Sequence, residues 1–305
     1  LRVQSADVSR GACRVVSVAA IEAEEVWSGS MRCTARLRAC VAMSAREASF
    51  ARGVYVITGG LGGLGLRAAT MLAERGAAGV LLSSRGGRMS AVARGLSAKS
   101  LFTALQLTMC DSASVCDVVA LRCIGPSVGV LHAAGVGDSG LLCGLTASRV
   151  CWLYGPKAFG SWHLRCAAAS TLLETHILWS SVGAGLGNVG QGSYAAGNAC
   201  LDAQALCCRA HGVESCCLQW PLVGGAGMGA AAFAAMGAAR VTIAGLAGIS
   251  LEEYTACLGA QLVAAVGVAC SVQLAHQADV RLLLQDLADS SQPRFGELAA
   301  QAKRS

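Results

Sequence analysis

VYVITGGLGGLG, Val54 to Gly65, is the stretch that decides the fold. Val54 to Thr58 is a short, mostly apolar run closed by glycines, the form of a strand buried on both faces. Gly60, Gly62 and Gly65 then fit the spacing G-x-G-x-x-G, and Leu66 to Arg75 reads as a helix stopped by Gly76. Glycines so spaced let backbone approach a pyrophosphate seated on a helix N-terminus, where free amides and the helix dipole favour negative charge. Thr58, Gly59, Gly60, Leu61, Gly62, Gly63, Leu64 and Gly65 are therefore the expected first wall of a dinucleotide site.

Downstream, strand and helix signals alternate. Strands are expected at Ala78 to Ser83, Leu101 to Met109, Ser127 to Leu131, His176 to Trp179, Glu214 to Trp220 and Val266 to Leu274. Helices are expected from Thr146 towards Ala169, from Tyr194 to Ala210 and from Leu251 to Val263; Gly155-Pro156 should kink the first or end its first part. Gly224 to Ala239 reads as a mobile segment rich in glycine and alanine. This alternation predicts an α/β fold, a Rossmann-like doubly wound parallel sheet with helices on both faces. Upstream, Glu25 to Leu37 reads as a hairpin about a Ser-Gly-Ser turn. The expected division is residues 1–50 as hairpin and linker, 51–290 as the nucleotide-binding domain and 291–305 as a tail.

A chain of 305 residues can bury a full core. Its net charge of +6 comes from scattered Lys and Arg residues, which argues against a nucleic-acid footprint. Sixteen cysteines show neither a disulfide framework nor the C-x-x-C spacing of a zinc site, so no metal is expected. With no secretory leader, a reducing intracellular compartment, cytoplasmic or organellar, is expected. Ser215 to Ala239 and Thr255 to Ala278 lack charge, but glycine, glutamine and (in the first) Pro221 interrupt them, and no membrane span is expected. The chain begins at Leu1, which suggests a piece of a longer polypeptide.

Twenty residues after Gly65 an NAD site would place an acidic side chain; Ser83, Ser84 and Arg85 stand there. A guanidinium suits a 2′-phosphate, so NADPH is the expected cofactor. Asp111 is a candidate acceptor for the adenine edge, and Ala133-Ala134-Gly135 would bring backbone close to the cofactor. Ser181 precedes Tyr194 by thirteen positions, and Asn198 follows one helical turn later on the same face. Reducing a ketone needs a proton for the developing alkoxide and donors that stabilise its charge. A tyrosine, with a reference pKa of about 10, gives up that proton poorly unless a cation is near. Lys157, on the neighbouring helix, is the candidate.

Together these segments resemble the ketoreductase domain of modular polyketide synthases, a branch of the short-chain dehydrogenase/reductase superfamily. The matching stretches are VYVITGGLGGLG, LLSSRGG, VGVLHAAGV, LYGPKAFGSWHL and SSVGAGLGNVGQGSYAAGNACLDA, in family order from Gly53 to about Trp220. Most of the superfamily keeps its lysine four residues after the tyrosine; here Asn198 holds that place and Lys157 supplies the ammonium. The resemblance implies Tyr194 as general acid, Ser181 polarising the carbonyl, Lys157 lowering the tyrosine pKa and feeding a proton relay, and Asn198 holding a water or the lysine. It implies NADPH reduction of a 3-oxoacyl thioester tethered by phosphopantetheine to an acyl carrier protein, among neighbouring domains of a megasynthase. The hairpin would be a remnant of the family's structural subdomain.

Some positions depart from the family. Gln219-Trp220-Pro221 replaces the usual Asn-Trp-Gly, and Gly197 replaces a frequent alanine at up to about 1 kcal/mol of helix preference. Gly137-Asp138-Ser139 stands where one stereochemical class has Leu-Asp-Asp, and Leu186 where the other has tryptophan; the balance leans to the first class. His132 and His163 read as packed or hydrogen-bonded, and Trp152 and Trp162 as core. Two rival readings are a free-standing carbonyl reductase on small molecules and a domain that keeps the fold and binds partners without reducing anything.

Overall fold

The computed structural model describes residues 2–7, 25–28, 31–39, 53–86, 105–109, 114, 116–117, 127–138, 140–169, 173–229, 243–264, 271–273, 276–277, 279–287 and 289–304. The chain opens with β1 (Arg2–Asp7) and the antiparallel pair β2 (Glu25–Ser28) and β3 (Met31–Ala39). The chain goes on through β4 (Val54–Thr58), α1 (Gly63–Glu74), β5 (Gly79–Ser84), β6 (Leu105–Met109) and β7 (Gly129–His132). Helices α2 (Ala147–Tyr154) and α3 (Gly160–Ala168) follow, joined by a π-helical turn over Gly155–Phe159. Next come β8 (Thr175–Ser181), the short α4 (Val182–Leu186), α5 (Gly192–Ala210), β9 (Cys216–Trp220), β10 (Leu246–Ala247) and α6 (Leu251–Ala264). The chain continues through β11 (Ser271–Gln273), β12 (His276–Gln277), α7 (Val280–Asp286) and α8 (Gly296–Ala302).

The main sheet has the order β2-β3-β1-β11-β9-β8-β7-β4-β5-β6. From β11 to β6 every neighbouring pair is parallel. Chain order reverses about β4, which leads to β5 on one side and has β7 on the other, and that switch point opens a crevice at the strands' carboxyl ends. Registers Thr58↔Ser83, Thr58↔His132 and Ser181↔Trp220 put these residues along that one rim.

Alternation of side chains along the strands divides the core between the two faces. Tyr55, Ile57, Val80, Leu82, Leu131, Ile177 and Leu218 point to one face, where Ala68, Met71 and Leu72 of α1 meet Tyr254, Leu258 and Leu262 of α6. Val56, Leu81 and Val130 point to the other, against Leu164 of α3, while Leu178 and Cys217 meet Leu201 and Ala205 of α5. The fold is thus the expected Rossmann-like α/β sheet with helices on both faces. A separate cluster joins Leu37 of β3 to Val182, Ile243, Leu283 and Leu298. Residues expected as a tail carry α8, with Phe295 and Leu298 buried.

Several boundaries differ from those read in the sequence. Helix α1 begins at Gly63, inside the glycine loop, because Leu66 N already donates to Gly62 O at 2.9 Å. The first strand, Arg2–Asp7, lacks a local signal and is held by pairing with β3 and β11. Trp152 and Trp162 are exposed at 47% and 52%, since Leu153 and Leu164 take the inward positions of their helices; this corrects their reading as core. The expected strands at Leu101 to Met109 and Val266 to Leu274 are seen at Leu105–Met109 and Ser271–Gln273, their remaining positions lying outside the described residues, as does the Gly224 to Ala239 segment beyond Gly229.

Leu131 is fully buried in the central strand β7, whereas Val189 is 95% exposed. Leu131→Ala is expected to cost about 2–5 kcal/mol in urea unfolding and Val189→Ala at most about 0.5 kcal/mol. Equal midpoints for the two variants would contradict this placement.

Candidate active site

The glycine loop and the loop after β7 abut closely. Gly59 has φ +67°, and a Cβ there would lie 2.7 Å from the Ala134 backbone. Ala133 N donates to Thr58 O at 3.0 Å, and a Cβ on Gly65 would meet Gly59 O at 2.7 Å. Between the loops runs a groove of about 250 Å³ lined by Thr58, Gly59, Gly62, Gly63, Leu64, Gly65, Ser84, Arg85, Ala133, Ala134 and Gly135. A chain of backbone amides at the head of α1, with space that only absent Cβ atoms leave, suits a diphosphate. Gly60 and Leu61 belong to the loop without lining the groove: Gly60 is buried with its N–H on Ser83 O, and Leu61 packs on the core. Arg85 is exposed at the groove's edge. Asp111 lies outside the described residues.

A larger cavity of about 700 Å³ continues from the groove, sharing Leu64, Ala133, Gly135 and Met228 with it. Lys157, Ser181 and Tyr194 line this cavity, and Asn198 lies buried behind them. Ser181 ends β8 in extended conformation and its hydroxyl accepts from Gly183 N at 3.2 Å. Tyr194 and Asn198 sit on one face of α5, where Asn198 Nδ2 donates to the Tyr194 carbonyl at 2.9 Å. Burial raises the Tyr194 phenol above its ordinary value, and hydrogen bonds with the Asn198 and Ser181 side chains pull it back down.

Lys157 reaches this point because of the proline before it. Pro156 has no N–H to give and crowds the carbonyl four residues earlier; an extra residue in the turn accommodates it, and Gly160 N donates five residues back to Gly155 O. Lys157 therefore turns inward, 3% exposed, with Nζ donating to Asn198 Oδ1 at 2.8 Å and to the Trp179 carbonyl at 3.3 Å. The same ammonium lies 5.5 Å from the Tyr194 ring centroid. A Cβ on Gly135 would be 2.9 Å from the lysine Cε, and one on Gly197 would be 2.9 Å from Leu153 Cδ2, so both glycines keep this passage open. Burial lowers the Lys157 pKa to about 8, with Cys217 and Asp202 acting in the opposite sense.

His132, at the end of β7, is fully buried and shares a 2.6 Å hydrogen bond between Nδ1 and Thr58 Oγ1. Burial, then the charge of Lys157, lowers its pKa to about 3, so it is neutral and packed rather than a proton carrier. Reading the sequence did not reveal the partner of Asp138, Arg149, whose Nε donates to both carboxylate oxygens at 3.0 Å and 2.9 Å and whose Nη2 donates to Oδ1, at the cavity rim. Nor did it place Met228 over the groove; the glycines around it were the available signal. Leu186 packs on the cluster around Leu37. Among the described residues no group of three or more metal-ligating side chains stands together, and no helix is long and apolar enough to cross a membrane.

The KR domain family model matches residues 53–225. The spectinabilin polyketide synthase system protein NorB of Streptomyces orinoci is 37% identical over 221 residues, which is 70% of this chain and 10% of that protein. Mellein synthase of Phaeosphaeria nodorum is 32% identical over 58% of this chain and 11% of its own length. A solved A1-type ketoreductase superposes with a TM-score of 0.77 at 28% identity, over 92% of this chain and 60% of that one. The first ketoreductase of the tylosin polyketide synthase superposes with a TM-score of 0.74 at 27% identity, over 91% and 61%. The chain thus spans about a tenth of these two curated relatives and about three fifths of the two solved chains.

The buried lysine has a consequence for stability. Unfolded, Lys157 holds its proton up to about pH 10.5, and folded only to about pH 8. Between those values the unfolded state binds more protons, so stability rises with pH; below about pH 8 the cost of the buried charge is present in full. At about 1.4 kcal/mol per unit this amounts to on the order of 3 kcal/mol. Urea unfolding of wild type should gain that amount relative to Lys157→Met between about pH 7 and pH 10.5. The folded value of about 8 already contains what the ammonium gains at Asn198, and a constant difference between the two proteins would contradict the burial of a titrating ammonium.

Proposed function

Because the chain belongs to the KR domain family, the ketoreductases of polyketide synthases within the short-chain dehydrogenase/reductase superfamily, we propose that it reduces a 3-oxoacyl thioester to the 3-hydroxyacyl thioester with NADPH. The substrate would ride on the phosphopantetheine arm of an acyl carrier protein, beside neighbouring domains of a megasynthase, as befits relatives that are long polyketide synthases. The observation that carries this reading is the Lys157 ammonium, buried and hydrogen-bonded to Asn198 beside the Tyr194 ring. Burying an ammonium against an uncharged amide costs free energy, which a role in proton transfer would account for.

Members of this superfamily use a nicotinamide cofactor, which when bound supplies hydride to the carbonyl carbon. The glycine-walled groove from Thr58 to Gly65 would take its diphosphate, and the exposed guanidinium of Arg85 its 2′-phosphate. Ala133, Ala134 and Gly135 would border the cofactor where groove and cavity meet. Asp111 is proposed for the adenine edge on its place after β6 alone.

In the cavity, Ser181 would donate to the substrate carbonyl oxygen and Tyr194 would deliver the proton as alkoxide character develops. Burial keeps the phenol protonated beforehand, as a general acid requires. The phenolate left behind would be stabilised by the Lys157 ammonium. Asn198 accepts from that ammonium while its own amide is held by the Tyr194 carbonyl, so the donor and the cation keep their relative position. Asp138, drawn to Arg149, would shape the entry to the cavity rather than touch the reacting carbon. The hairpin β2–β3 would be the remnant of the family's structural subdomain.

The test mixes the purified chain with NADPH and a 3-oxoacyl thioester and follows loss of nicotinamide absorbance. Turnover is expected, with NADPH preferred to NADH; a folded chain that binds NADPH and turns nothing over would sink the enzymatic reading. Tyr194→Phe should lose about 100-fold or more of the rate while keeping cofactor affinity.

A further inference from the structure

Helix α6 carries a buried hydroxyl that the proposed chemistry leaves unused. Tyr254 has no exposed surface, and burial raises its phenol far above the ordinary value, so it remains a neutral donor. Its oxygen donates to the Leu64 carbonyl at 2.9 Å and accepts from the Trp179 indole N–H at 3.3 Å. Leu64 stands in the first turn of α1 and borders both groove and cavity. Trp179 stands on β8, and its own carbonyl accepts from the Lys157 ammonium at 3.3 Å. One hydroxyl therefore joins the wall of the groove to the strand that receives the lysine. The Tyr254 ring also packs 4.5 Å from the ring of Trp220, which lines the cavity.

We propose that Tyr254 is a positioning residue for the cofactor groove, fixing the Leu64 peptide at the head of α1 against Trp179 so that the diphosphate-binding amides are held in place before the cofactor arrives. The inference rests on the dinucleotide reading of that groove given above. A site whose donors are already fixed spends less of its binding free energy on ordering them. Sequence distance makes the link a tertiary one: Tyr254 is 190 residues from Leu64 and 75 from Trp179. A second polar link between α1 and α6, Arg67 Nε to Thr255 Oγ1 at 3.1 Å, joins the same helices without reaching the glycine loop. The two links separate simple helix packing from organisation of the groove.

Tyr254→Phe keeps the ring and removes only the hydroxyl. Titration of the purified chain with NADPH, read by cofactor fluorescence, should show Kd raised about 3- to 10-fold, the effect of losing one hydrogen bond. KM for NADPH should rise with it, and by more than kcat falls. Thr255→Val should leave Kd unchanged even where it lowers the unfolding temperature. An unchanged Kd in Tyr254→Phe, or an equal rise in Thr255→Val, would overturn the proposal. Should Tyr254→Phe not be recovered folded, Trp179→Phe frees the same hydroxyl from its other partner; a raised Kd is again expected, and an unchanged one again overturns it. Failure of the wild-type chain to bind NADPH would instead remove the dinucleotide reading, and is seen without any variant.

Discussion

A lysine ammonium inside a protein must be paired, and the pairing of Lys157 with Asn198 Oδ1 organises the surrounding structure. The interaction needs an inward lysine, which the π-helical turn containing Pro156 supplies. It needs a path for the stem, which Gly135 leaves free, and close approach of α2 to α5, which Gly197 allows at Leu153. The helix preference that Gly197 gives up, about 1 kcal/mol, is the local cost of that approach. Asn198 is in turn oriented by the Tyr194 carbonyl, so the cation, the amide and the phenol form one connected unit.

The sheet brings this unit to the cofactor groove. Parallel strands end on one rim, and the reversal about β4 separates the loops after β4 and β7 enough to leave a crevice between them. Side-chain alternation anchors the rim from both faces, with α1 and α6 on one and α3 and α5 on the other. Ser181 and Trp220 stand opposite one another at the ends of β8 and β9, and so the reacting end of the cavity is set by strand register rather than by loops.

Much of this was legible because it is local. Val54–Thr58 is a strand with the bounds its sequence suggests, and the glycine loop after it makes the groove. The strand and helix alternation sufficed for the fold class. Lys157 was offered from the need for a cation near Tyr194 and from its place on the long helix, and the resemblance then gave it a role; its spacing of 41 residues from Asn198 says nothing by itself. Features without local signatures were missed: Arg2–Asp7 becomes a strand only by pairing with β3 and β11, and Asp138 finds Arg149 only once the loop closes. Trp152 and Trp162 were misread because a large aromatic side chain on a helix is ordinarily inward, whereas here smaller leucines fill that side.

Asn198 holds an ammonium delivered from the neighbouring helix, in the place where most of the superfamily carries its lysine. Exchanging the two, Lys157→Asn with Asn198→Lys, moves the ammonium onto α5 and the amide onto the π-helical turn. Reduction of a 3-oxoacyl thioester should fall about 100-fold or more in Lys157→Asn and recover at least about tenfold in the exchanged double variant, about 1.4 kcal/mol of regained transition-state stabilisation. A double variant no faster than Lys157→Asn would mean that the ammonium does not act through its place beside Tyr194.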